Sequence, residues 1–203
     1  MKYLIIALGI LTLFLSMRSH IPNTQPLAKD AAILAIGDSL TYGFGASTEQ
    51  SYPSQLAQLT GHRIINAGIN GETSQEGLQR LPSLLSQYHP RLTILCLGGN
   101  DILQKRSMET LKENLRKMIE MTKASGSDVL LIAVPNMTLF GLDPLDLYEE
   151  VAEETDTPLL SGILSEILSD PSLKSDQIHP NARGYRKMAE AVYGRLKENG
   201  WVQ

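Results

Sequence analysis

The stretch AAILAIGDSLTYGFG, residues 31–45, decides how the chain folds. Residues 32–36 are continuously aliphatic, as in a parallel strand buried on both faces, and the run stops at Gly37. Asp38 and Ser39 follow at once, and both residue types accept hydrogen bonds from the free amides that begin a helix. The segment reads as strand, turn and helix start, with the Ser39 hydroxyl either capping that helix or free for other work.

The same pattern recurs along the chain. RIIN (63–66), LTILCL (92–97) and VLLIAV (129–134) are short aliphatic runs expected as parallel strands buried on both faces, with TPLL (157–160) as a shorter fifth. Leu78, Leu81, Leu84 and Leu85 fall at helical spacing, with Pro82 expected to kink or break their helix. Leu111, Leu115, Met118 and Ile119 mark a helix ending at Gly126, and Met188, Ala191, Val192 and Leu196 mark the last one. Strands alternating with helices predict one α/β domain over residues 31–203, its open parallel sheet covered on both faces.

Composition narrows the function. A chain of 203 residues, 42% hydrophobic and 20% charged, can bury a sizeable core. Beyond residue 18 it carries 16 Lys and Arg against 22 Asp and Glu. That balance lacks the basic field that attracts phosphate backbones, so nucleic acid is not an expected partner. The single cysteine, Cys96, lies within LTILCL and reads as a small core residue. The four histidines, at 20, 62, 89 and 179, are scattered, so neither a metal nor another cofactor is expected.

The amino terminus differs from the body. An uncharged apolar run from Tyr3 to Met17 lies between Lys2 and Arg18, shorter than the roughly 20 residues of a relaxed membrane span. Residues 1–17 are expected to export the body, either kept as a membrane anchor or removed as a signal peptide. The expected place is the periplasm or beyond, with membrane contact only through this segment. Residues 18–30 then form a polar, Pro-containing linker.

In an open parallel sheet, ligands collect at the carboxyl ends of the strands. There the sequence has Gly37-Asp38-Ser39, then NAGINGETS with Gly68 and Gly71, then GGND (98–101), and near the end SDQIHPN with Asp176 and His179. These supply a hydroxyl, an imidazole, a carboxylate and several candidate oxyanion donors, the parts acyl transfer needs. No GxSxG elbow, phosphate-binding loop or GxGxxG is present.

GDSLTYG, NAGINGETSQEGLQRLP, LGGND and DQIHPN, in that order over residues 37–181, resemble the SGNH or GDSL hydrolases, and among them the bacterial arylesterase branch. The resemblance implies a flavodoxin-like three-layer α/β/α fold with a five-stranded parallel sheet. It implies Ser39 as nucleophile, His179 as base and Asp176 as the residue that holds His179. The oxyanion hole would be the amides of Ser39 and Gly71 and the side chain of Asn100, Gly71 being preferred to Gly68 because the glycine of NGET matches the donor of this branch.

A serine hydroxyl is a weak nucleophile near neutral pH and needs a base within hydrogen-bond reach. His179 is the best placed: His20 lies in the linker, His62 in a turn, and His89 ahead of Pro90 at a helix end. Asp176, three residues before it, can accept from the other ring nitrogen. Asp38 and Asp101 are expected to orient loops. Met137, Leu139, Phe140 and Leu142, in the loop after the fourth strand, either line an apolar acyl channel or cover the core. The expected activity is hydrolysis of carboxylic esters or thioesters, of arylesterase, thioesterase or lysophospholipase type. The alternatives are a carbohydrate O-acetyl esterase and a non-catalytic anchored binding module.

Overall fold

The computed structural model describes residues 26–138 and 141–203. The expected export segment and the linker up to residue 25 lie outside the described residues.

Five strands form one parallel sheet: β1 (Ala32–Gly37), β2 (Arg63–Gly68), β3 (Leu92–Cys96), β4 (Asp128–Ile132) and, here named β7, Leu159–Leu160. Their order is β2-β1-β3-β4-β7, doubly wound, with the reversal between β1 and β3. β1, β3 and all of β4 after Asp128 are buried, as their aliphatic runs require. β2 departs from expectation. It is an edge strand, and Arg63 and Asn66 are exposed where only one neighbour pairs with it.

The helices are α1 (Ser39–Tyr42), α2 (Tyr52–Thr60), α3 (Ser74–Tyr88), α4 (Gly99–Leu103), α5 (Met108–Ala124), α6 (Asp146–Glu154), α7 (Ile163–Ser169) and α8 (Ala182–Glu198). α2 packs on α8, and α3 packs on α5, which also meets α6. Helix α3 runs through Pro82 without a break. Pro82 faces solvent, where water can serve the Leu78 carbonyl that the proline leaves without its helical donor. His89 ends this helix in the left-handed conformation, with φ of 44°.

The segment after β4 is not the plain loop the sequence suggested. Strands β5 (Pro135–Thr138) and β6 (Gly141–Pro144) pair antiparallel into a hairpin, and β6 packs on α7. Cys96 is fully buried, and burial pushes its thiol well above the ordinary range, consistent with a core role.

Candidate active site

The abrupt stop at Gly37 has a steric cause. A Cβ there would lie 2.1 Å from the Thr41 Oγ1 and 2.4 Å from the Cys96 carbonyl oxygen, so only glycine lets β1 turn into α1 beside β3. The cap of α1 is Asp38, not Ser39: its Oδ1 accepts from the Leu40 amide at 2.9 Å. Ser39 is left as the first helical residue, and its hydroxyl is free to bond elsewhere.

It bonds to His179. The Ser39 Oγ to His179 Nε2 distance is 3.0 Å, across 140 positions of sequence. The other ring nitrogen, Nδ1, lies 2.8 and 3.0 Å from the two oxygens of Asp176. Asp176 Oδ1 also accepts from the amides of Ile178 at 2.9 Å and His179 at 2.8 Å, so one carboxylate shapes the turn and orients the ring. Partial burial pushes the Asp176 carboxyl up, but these bonds together outweigh it and hold it below the ordinary carboxylate range.

The loop is clamped at its base. His179 accepts through its carbonyl from the Ser175 amide at 2.9 Å, and Asn181 donates to the carbonyls of Ser172 and Lys174 while capping α8. Two side chains that sequence reasoning missed complete the clamp. The Phe44 ring packs against the imidazole at 4.5 Å between centroids. The Tyr185 hydroxyl donates to the Phe44 carbonyl at 2.8 Å. Neither stands in a spacing pattern with His179, so only the fold reveals them.

Facing this group are the ends of β2 and β3. Gly71, with φ of +79°, and Asn100 line the same pocket as Ser39. Neither the Ser39 amide nor the Gly71 amide donates to a protein acceptor among the described residues. Asn100 Nδ2 donates to the Glu72 carbonyl at 3.0 Å and, more weakly, to Asp38 Oδ2 at 3.3 Å. Asp38 is buried, which pushes its carboxyl up to about 7 against the opposing bond from Leu40, with nearby Glu72 and Asp101 adding to the rise. Asp101 is equally buried and grips the start of α3, accepting from the Ser74 amide at 2.8 Å and hydroxyl at 2.7 Å. Asp38 thus holds the start of α1 and Asp101 that of α3.

The pocket holds about 440 Å³ and is walled by Phe44, Ile102, Leu103, Val134, Leu142 and Leu168. Of the four candidate acyl contacts, Leu142 on β6 is in its wall, Met137 lies on strand β5, and Leu139 and Phe140 fall outside the described residues. Among the described residues no group of acidic, histidine or cysteine side chains is placed to hold a metal. No helix among them is long and apolar enough to cross a membrane.

A hydroxyl bonded to an imidazole that is bonded in turn to a carboxylate lies at the switch point of a doubly wound α/β sheet, where such sheets take ligands. The chain belongs to the GDSL-like lipase/acylhydrolase family, whose model matches residues 35–187, and it is a carboxylic ester hydrolase. It is 34% identical over 156 residues to the thioesterase 1/protease 1/lysophospholipase L1 of Escherichia coli (strain K12), covering 73% of this chain and 75% of that protein. It is 34% identical over 174 residues to an arylesterase of Vibrio mimicus, covering 81% and 87%. Among solved structures it resembles that of TesA, with a TM-score of 0.75 and 30% identity over 83% of this chain and 99% of that one.

Proposed function

We propose that the protein is a serine esterase that cleaves carboxylic esters or thioesters through a covalent acyl-enzyme. Ser39 Oγ attacks the substrate carbonyl while its proton passes to His179 Nε2. The charge that develops on the carbonyl oxygen is met by the amides of Ser39 and Gly71 and by Asn100 Nδ2. Asn100 frees a hydrogen for this oxygen by giving up its longer bond to Asp38. His179 then returns the proton to the departing alcohol or thiol, leaving Ser39 acylated. Water, deprotonated by the same imidazole, attacks the acyl carbonyl and releases the acid with Ser39 restored. Asp176 holds the Nδ1 proton throughout and stabilises the imidazolium as it forms.

The observation that carries this reading is the 3.0 Å bond from Ser39 to an imidazole already fixed by Asp176. A binding module has no need of a hydroxyl bonded to a base. The apolar pocket walls support an acyl group larger than acetyl, with Leu142 beside it, over a polar acetylated sugar. We further assign export of the body to residues 1–17, kept as an anchor or removed as a signal peptide.

A fluorophosphonate probe and p-nitrophenyl butyrate test the chemistry. Labelling is expected at Ser39 alone, and Ser39→Ala is expected to lose both labelling and at least about a thousandfold in kcat/KM. Wild-type turnover in the alanine variant would overturn the assignment. Faster hydrolysis of acetylated sugars than of butyrate or longer esters would favour the carbohydrate reading instead.

A further inference from the structure

Asn100 is aimed by a neighbour outside its own loop. Its Nδ2 donates at 3.0 Å to the carbonyl of Glu72, the residue directly after Gly71. Where the Glu72 carbonyl sits therefore sets the direction of the Asn100 amide. The Glu72 carboxylate, with 3% of its side chain exposed, receives two bonds from a single guanidinium, from Nε and Nη2 of Arg80 in the second turn of α3. Arg80 Nη2 also donates to the Ala67 carbonyl on β2. β2 is in register with β1, Gly68 opposite Gly37, and the Ile69 amide donates to the Gly37 carbonyl at 3.0 Å, two residues before Ser39. A chain of bonds thus runs from the strand that delivers Ser39, through Ala67, Arg80 and Glu72, to Asn100.

We propose that Arg80 is a positioning residue for the oxyanion hole, its guanidinium fixing the Glu72 carbonyl and so the direction of the Asn100 donor. The inference rests on the serine-esterase reading above. The planar fork matters, because one group must hold two carboxylate oxygens and a carbonyl together, which an ammonium cannot do with the same geometry. Both roles, bracing the fold and aiming a donor, entail lower stability without Arg80, since Glu72 would lose its partner while buried. Only a catalytic readout separates them.

The test is a double-mutant cycle on p-nitrophenyl butyrate, run below the melting temperature of every variant. Arg80→Met is expected to lower kcat about tenfold or more with KM within about twofold, because the donor is misaimed only at the reacting oxygen. Arg80→Lys is expected to fall between wild type and Arg80→Met. In an Asn100→Ala background, Arg80→Met is expected to cost less than about threefold, because no side-chain donor remains to be aimed. A kcat loss below about threefold for Arg80→Met, or the same loss in both backgrounds, overturns the proposal. If the methionine variant does not fold, Arg80→Lys with and without Asn100→Ala decides on the same criterion of unequal losses. An active wild type with a labelled Ser39 and an insensitive Arg80 overturns this inference alone, whereas a wild type with no reactive Ser39 overturns the parent reading and this one with it.

Discussion

The two edges of the parallel sheet use charge in opposite ways. At the carboxyl edge helices begin, and buried carboxylates meet their first amides: Asp38 at α1 and Asp101 at α3. At the amino edge helices end, and cations meet carbonyls there. Lys123 Nζ donates to the carbonyls of Thr155 at 2.6 Å and Asp156 at 2.8 Å just past α6, and Arg91 to that of Gly126 just past α5. Each sign suits the helix dipole it faces. The amino edge also holds a depression of larger volume, about 720 Å³ against about 440 Å³ at the carboxyl edge. Size therefore does not mark the site. What distinguishes the carboxyl edge is the Ser39 hydroxyl bonded to an imidazole, in a pocket also lined by Gly71, whose amide has no protein acceptor among the described residues.

The comparison can be broken most sharply at Asn100. Asn100→Ala is expected to slow turnover about a hundredfold, on the order of 3 kcal/mol in the barrier, with little change in melting temperature. Wild-type kcat in that variant would remove the donor role from this edge. The pH dependence of stability sharpens the contrast next. Asp38 has its carboxyl raised from 3.8 to about 7, so its protonated form favours the fold below pH 4, and that contribution is lost as pH rises towards 7. Wild-type stability is expected to fall relative to Asp38→Asn across that window by on the order of a few kcal/mol, read as the difference in Tm between the two proteins at each pH. A difference that does not change with pH would mean that Asp38 does not titrate there. The smallest effect belongs to the amino edge. Lys123→Met is expected to lower Tm by about 2 °C while leaving kcat within about twofold, since the lysine serves helix-end carbonyls at the edge away from Ser39. A large loss of kcat would mean that the two edges are coupled.

Much of this layout is legible before any fold is known, for particular reasons. A strand buried on both faces must be aliphatic throughout, which exposes β1, β3 and β4 in the sequence. Ser39, Asp176 and His179 stand out because each follows or precedes a recognisable element, and the structure brings all three together. The hairpin of β5 and β6 was not legible. Its strands are four residues each and begin or end on proline, so local preference points away from a pairing that is supported by contact with α4 and α7. Pro82 misled in the opposite direction, because its cost depends on whether the carbonyl it orphans can reach water. The Glu72–Arg80 pair, eight residues apart across a helix start, matches neither the i, i+3 nor the i, i+4 spacing that betrays a helical ion pair.

The sequence by itself determined which segments become strands and which polar residues stand at their ends, because burial and turn geometry act on neighbours in the chain. Only the tertiary structure decided that residues 140 positions apart share one hydrogen bond, that Asp38 rather than Ser39 caps its helix, and that Arg80 reaches across to steady Glu72. Those facts follow from strand order and from how closely backbones approach at Gly37, which depend on the packing of the whole sheet and are carried by no local pattern.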